Sequence, residues 1–485
     1  MSKKRPASTQ QYSNKRARRD SLPLNHAAQP LRVGHIVTVL VHGSPDFGQL
    51  GLGMDIIDEV TRPRLHKKIQ ELQERGQLGK HGVEQIVAGG MHSLLVDSEG
   101  KELLRVWSWG VNDSMALGRP TQGVEGVDSE ELESSPAVIS SLHGFRAVRV
   151  AACDSYSMAL DETGTIRAWG TFKLPDGQCT FDGTEDLPKI VLEPTSLPTL
   201  ANVEICQLAC GENHVLALTR TGFVYTWGDG TCHQLGRKVT DHPWEVAMKP
   251  ERLELRNIVT LGAGYRHSFA VDNTGTVYGW GLNKSCQLGL GSQAGMDYVL
   301  YPTPIPALDP AKHNGNKVVA IAAGEFHSLF LFNNGEVWSC GQSDQFAVGL
   351  AHDRPEYLAA KHAAESSAGG QDVQIDICIP EPVRVAFPPP PTEEDPTPTL
   401  PPADTPFSST RISHISADAR YSFACSDQGV LYSWGAGESA QLGLGGPSSA
   451  ETPTRVQSKY FRMNYRPIGM SCGGQVVLVI AAIPA

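Results

Sequence analysis

Sixteen histidines are the residues that most invite a chemical reading of this 485-residue chain. Histidine is a base near neutral pH and a common metal ligand, so at the right spacing it would support acid–base or metal chemistry. Four of them, His92, His214, His267 and His327, recur at one position of an internal repeat, and Tyr156 and Tyr421 occupy that position in two other copies. A place that takes Tyr as well as His calls for a hydrogen-bonding ring, not a metal ligand. These residues are therefore predicted to brace the turn inside each repeat. No His-x-x-x-His pair, Ser/His/Asp order or pair of catalytic carboxylates stands out, and the glycines do not follow the phosphate-loop spacing Gly-x-x-x-x-Gly-Lys. The ten cysteines are scattered without a Cys-x-x-Cys pair, and the closest two, Cys206 and Cys210, fall along one expected strand and its turn. They read as reduced thiols of an intracellular protein. No metal, no cofactor and no covalent chemistry is expected; the residues point to action by binding.

Charge divides the chain into two electrostatic objects. The formal net charge is −11, yet residues 1–19 carry seven bases (Lys3, Lys4, Arg5, Lys15, Arg16, Arg18 and Arg19) and no acid, which leaves −18 on the remainder. Two basic clusters separated by nine residues match a bipartite nuclear import signal and would also contact DNA. The acidic body is not expected to bind nucleic acid broadly. The longest strongly apolar stretch, residues 476–485, is half of what a membrane span requires, so no membrane contact is expected.

The elements that must position these residues come from the repeat. Measured from the His or Tyr, a Gly follows eight residues on (Gly164, Gly222, Gly275, Gly335, Gly429) and a Trp-Gly or Cys-Gly pair thirteen on (Trp169, Trp227, Trp280, Cys340, Trp434). Eight residues further comes an apolar residue before Gly, as in Gln234-Leu235-Gly236 and Gln287-Leu288-Gly289. Each unit reads as four short antiparallel strands: Ile258 to Ala263, Ser268 to Asp272 and Thr276 to Trp280, with an edge strand opened by Pro302. One such sheet cannot bury both faces, so the units must stack. Six are complete or nearly so. Phe47-Gly48-Gln49-Leu50-Gly51 is an ending without a beginning, and residues 472–480 are a beginning without an ending. Their pairing closes a ring and predicts an all-β, seven-bladed propeller; an open solenoid leaves both halves unexplained.

The recurring His-Ser, Trp-Gly and Gln-Leu-Gly, the segment Gly43-Ser44-Pro45-Asp46-Phe47-Gly48-Gln49-Leu50-Gly51-Leu52-Gly53, Gly89-Gly90-Met91-His92 and the basic tail resemble the regulator of chromosome condensation family over residues 33–485. That family includes the eukaryotic exchange factor for the nuclear GTPase Ran. The resemblance implies a nuclear, chromatin-associated protein that promotes GDP/GTP exchange on a Ran-type GTPase and so supports nucleocytoplasmic transport and mitosis. The alternative is a propeller scaffold that binds protein or chromatin without exchanging nucleotide. Implied partners are the GTPase, an import receptor engaging the tail, and histones or nucleosomal DNA.

Departures from the repeat locate the candidate site. Asp46 and Asp154 lie in loops where other repeats vary, which predicts acids exposed on one face; by resemblance they face the GTPase. The third unit, counting the N-terminal fragment as the first, lacks its Gln-Leu-Gly ending. It runs instead from Thr171 to Pro188 through Pro175-Asp176-Gly177, a strong turn signal, with a short strand expected over Gln178 to Phe181. A small hairpin with no role in packing is predicted, carrying Lys173 and Asp176; by resemblance it is the wedge pushed against the GTPase's phosphate-binding region. In the fourth unit Asn213 stands where the family has an acid, and the neighbouring Glu212 is expected to substitute. Phe326 and Val476 replace expected histidines. Only Arg237 and Lys238 represent an Arg-bearing loop that meets histones in the family. Residues 1–32 are expected to form a disordered basic tail. A Pro-rich acidic insert is expected at about 351–410, with a short helix over Tyr357 to Ser366.

Overall fold

The repeat's short apolar runs become strands because each is bounded by a turn residue and can be buried on both faces between neighbours. A computed structural model describes residues 24–26, 36–79, 81–97, 105–174, 176–183, 187–239, 243–291, 296–367, 376–389, 410–446 and 448–483. The import and DNA-contact charges Lys3 to Arg19 lie outside the described residues, as does most of the Pro-rich stretch, 390–409. Strands form seven four-stranded antiparallel sheets arranged as the blades of a propeller, plus a two-stranded hairpin. The first blade is composite. Its inner strands, Arg466–Gly473 and Val476–Ala482, come from the C-terminus, and its outer strands, Val37–Gly43 and Val60–Leu65, from the N-terminus. Seven consecutive pairs from Val37↔Ala482 to Gly43↔Val476 join the two ends and close the ring as expected.

The fifth blade shows the common plan: Ile258–Ala263, His267–Asp272, Val277–Leu282 and Tyr298–Pro304. Three strands differ from expectation, the second beginning one residue earlier, at His267. The third strand is shifted toward Leu282, and the outer strand begins four residues before Pro302, which it tolerates because an edge strand can lack a donor. The expected 351–410 insert is interrupted as well. Cys378–Arg384 is the sixth blade's own outer strand, preceded by the helix Pro355–Ser367. Pro380 and Pro382 within that strand hid it in the sequence.

Hydrogen bonds between blades explain the repeat. His92, His214, His267 and His327 do not brace their own turns; each Nε2 meets a Ser hydroxyl of the following blade, Ser157, Ser268, Ser328 and Ser422, at 2.6–2.9 Å. The same Ser hydroxyl donates to the main-chain carbonyl just before the apolar-Gly ending, at Ala116, Gln234, Gln287 and Ala347. The indole N–H groups of Trp169, Trp280 and Trp434 donate to the Ala116, Gln234 and Ala347 carbonyls at 2.7–2.9 Å. One carbonyl thus gathers two donors of the next blade. Each buried hydrogen bond contributes about 1 kcal/mol net. Burial pushes His92 down to about 4 and His214, His267 and His327 to about 3, so these rings are neutral at pH 7.

A steric rule accompanies the ring. Three residues before each of these histidines is a Gly, and a Cβ there would fall 2.1–2.9 Å from the imidazole at Gly89, Gly211, Gly264 and Gly324. Where Tyr replaces His, a side chain is admitted: Cys153 before Tyr156 and Asp418 before Tyr421.

Candidate functional site

The turns joining first to second strands gather at one mouth of the central channel. Main-chain bonds link them from blade to blade: Asp154 N to Glu212 O at 2.9 Å, Glu212 N to Tyr265 O at 3.2 Å, Tyr265 N to Gly324 O at 3.0 Å and Glu325 N to Ala419 O at 2.9 Å. The mouth encloses about 210 Å³, and Asp154, Glu212, Tyr265 and Asp418 line it. Burial pushes the Asp418 carboxyl up to about 7, and the Tyr265 hydroxyl lies beside it. Burial also raises Glu325, against the attraction of Arg420.

This face also receives the loops that follow each third strand, and it brings together most of the residues singled out in the sequence. Asp46 is exposed, two residues beyond Ser44, whose hydroxyl donates to its Oδ2 at 2.7 Å. Asp154 is half-buried, not exposed as expected, because it sits at the rim of the mouth and accepts from the Ser155 hydroxyl at 3.1 Å. A side chain at Gly90 would collide with it, the added Cβ lying 1.9 Å from Asp154 Oδ1. Glu212 is not a free acid standing in for Asn213. It is paired with Arg266 at 3.1 Å, and both lie on the mouth's rim. Asn213 has a different part: its Oδ1 accepts from the backbone N–H of Lys173 at 3.2 Å and ties the hairpin to the fourth blade. Phe326 is half-buried beside the mouth, and Val476 is buried at the start of its strand.

The expected hairpin is present. Phe172–Lys173 pairs with Cys179–Thr180, a shorter second strand than expected. Asp176 shapes the tip, its Oδ1 accepting from Gln178 N at 3.0 Å. Lys173, Asp176, Gly177 and Gln178 are exposed. The base of the hairpin, however, does pack. Phe172 and Phe181 are fully buried, and Phe172 stacks on Tyr156 with ring centroids 4.1 Å apart. The alternation of one buried and one exposed residue across so short a strand is what made the base unreadable.

Two residues in the loop after the fourth blade's third strand correct the histone-loop expectation. Arg237 is buried, and its guanidinium donates to the carbonyls of Val246, Ala247 and Lys249 and pairs with Glu251 at 2.9 Å. It repeats the part of Arg119, which donates to the carbonyls of Ser108 and Leu132. Only Lys238 is exposed there. At the opposite face, Leu24 N and Asn25 N donate to Arg220 O, and Asn25 Nδ2 donates to the carbonyls of Thr219 and Ile258. The chain leading from the basic tail is thus rooted at the end of the channel away from the hairpin.

Sequence reasoning passed over Arg266, Tyr265, Asp418 and Phe47. The signal for Asp418 was available, since it occupies a repeat position held by Gly324 and Gly264. Among the described residues no group of three or more His, Cys, Asp or Glu gathers as a metal site, and no helix is long and apolar enough to cross a membrane. The face offers charged and hydrogen-bonding groups on a rigid ring and one projecting hairpin, an arrangement suited to grip and deform a macromolecular partner.

Known proteins share this propeller. Residues 38–479 match the model of the RCC1-like domain. The chain is 33% identical over 458 residues to Protein pim1 of Schizosaccharomyces pombe, covering 92% of this chain and 75% of that one. It is 32% identical over 458 residues to the guanine nucleotide exchange factor SRM1 of Saccharomyces cerevisiae, covering 89% of this chain and 85% of the relative. Among solved structures, Prp20p of Saccharomyces cerevisiae, described with its binding to Gsp1p and histones, is 31% identical with a TM-score of 0.76, covering 94% of each chain.

Proposed function

This chain belongs to the RCC1-like domain family, whose members include guanine nucleotide exchange factors, and from that premise we propose that it releases guanine nucleotide from a Ran-type GTPase in the nucleus. The observation that carries the reading is the hairpin of the third blade. It is the place where a unit's ending is replaced by a projecting element that exposes a cation on its first strand, Lys173, and a hydrogen-bonded turn at its tip, Asp176. Its buried base and the Asn213 bond to Lys173 N make it stiff. A stiff wedge entering the GTPase's phosphate-binding region would displace the backbone and magnesium that hold the nucleotide's charge. Exchange follows from linkage: a factor that binds the nucleotide-free GTPase more tightly than the loaded one weakens nucleotide affinity by the same factor. Asp46 and Asp154 would hold the GTPase on the face, with Arg266 and Glu212 as a matched pair on the next two blades beyond Asp154.

Chromatin contact is assigned to the tail and not to the loop at Arg237, because that guanidinium is consumed by its own blade. With the tail's root on the far face, histones or nucleosomal DNA and the GTPase would bind together. The tail's two basic clusters would engage an import receptor. The test of the whole reading is release of a fluorescent GDP analogue from purified Ran-type GTPase. The chain should accelerate release catalytically, Asp154→Ala should slow it at least several-fold, and full-speed release without the chain's involvement would remove the reading.

A further inference from the structure

Phe47 is held in a conformation that a bulky residue avoids. Its φ of 58° and ψ of 23° place it in the left-handed region, and its ring is 67% exposed. The equivalent loop of five other blades has one left-handed residue three positions before its glycine, at Met115, His233, Cys286, Phe346 and Ala440. In the composite blade Gly48 takes that place, so Phe47 is an additional left-handed residue just ahead of it. Strain of this kind persists only where the surroundings impose it, and an aromatic ring presented to water is not what imposes it.

The ring borders a groove of about 490 Å³ between this loop and the second blade. Met54 and Ile57, 49% and 83% exposed, add apolar surface. Every charged residue lining the groove is an acid: Asp46, Asp113, Glu130 and Glu133. The loop stands on the hairpin's side of the ring, because Ser44 N donates to Gln475 O at the composite blade's inner turn. The chain's own basic tail is rooted on the other side at Asn25, so it is not the natural occupant. Exposed apolar groups ringed by charge of one sign mark an interaction surface for a partner of the opposite sign.

We propose that Phe47 and this groove form a second anchoring subsite, which takes an apolar side chain flanked by lysines or arginines on the GTPase while the hairpin works on the far side of the second blade. The assignment rests on the exchange reading above. In it, the hairpin changes the nucleotide's affinity and the groove supplies grip.

Release kinetics at varied GTPase concentration, with unfolding midpoints of the same proteins, test it. Phe47→Gly removes the ring and relieves the left-handed strain. It should unfold at the same or a higher temperature, yet raise KM about ten-fold with kcat close to wild type, as expected for loss of an aromatic anchor. Phe47→Leu should keep most of the affinity, and Asp113→Lys should raise KM by several-fold. A wild-type KM for Phe47→Gly would overturn the anchor while leaving exchange intact. A wild-type chain that releases no nucleotide would overturn the exchange reading instead. Direct titration against nucleotide-free GTPase would then decide the anchor: weaker binding by Phe47→Gly keeps it, and equal binding removes it.

Discussion

The seam between the fifth and sixth blades and the seam between the third and fourth are built from the same strands with opposite chemistry. At the first, His267 meets Ser328, Ser328 donates to Gln287 O, and Cys340 Sγ approaches the same carbonyl at 3.5 Å. At the second, Tyr156 replaces His, Val215 replaces Ser, and the ending that would supply the carbonyl has become the hairpin. Trp227 Nε1 and the Tyr156 hydroxyl are buried there facing each other, and neither reaches a main-chain carbonyl. What fills the gap is apolar: Phe172, Phe181, Tyr156, Val215, Trp227 and Met248 share one core cluster. A polar network holds its loop in place; an aromatic core needs only the loop's base. The comparison teaches how a repeat can free one loop to project without opening the ring.

Acid should separate the two seams most strongly. Burial holds His42 and His66, like the four seam histidines, at or below about 4. Between pH 6.5 and about 4 the unfolded chain therefore binds protons that the fold does not. Stability is full above pH 6.5 and falls with decreasing pH, by up to about 1.4 kcal/mol per pH unit for each histidine. Asp418, raised to about 7, works the other way, as do Asp97, Glu325 and Asp344, which burial also raises. Hydrogen exchange at pH 5 should show the histidine seams losing protection before the strands around Tyr156; uniform loss would erase the contrast.

A single substitution gives a smaller effect. His267→Ala should lower the unfolding free energy by about 2–4 kcal/mol in denaturant titration, because it leaves a cavity and removes a buried bond. Nucleotide release per folded molecule should not change. The finest comparison is Trp280→Phe against Trp227→Phe. Both lose similar volume, but only Trp280 donates to a carbonyl, at 2.9 Å. Trp280→Phe should cost about 1–2 kcal/mol more; equal costs would mean that the shared carbonyl contributes nothing.

Most of the ring was legible before any coordinates, because a repeat with constant spacing has few ways to bury itself. The two half-units at the ends specified closure. Which blade a recurring side chain faces was not legible: His267 lies within one unit in sequence and reaches Ser328 of the next in space. The hairpin was legible as a departure, through Pro175-Asp176-Gly177 and the missing Gln-Leu-Gly. Its footing was not, since Phe172 and Phe181 look like any loop aromatics until Tyr156 is seen stacked between them and the blade. Glu212 read as an available acid because its partner, Arg266, is 54 residues away.

The aromatic core under the hairpin should hold a wedge that the ring does not need for folding. The direct measurement is nucleotide release from Ran-type GTPase by a chain whose tip, residues 174–178, is replaced by two glycines while Phe172 and Phe181 remain. The expected result is an unfolding free energy within about 1 kcal/mol of wild type and a release rate lowered at least about ten-fold, the usual consequence of a misplaced working group. Release at the wild-type rate from this folded variant would contradict the claim and move exchange elsewhere on the face.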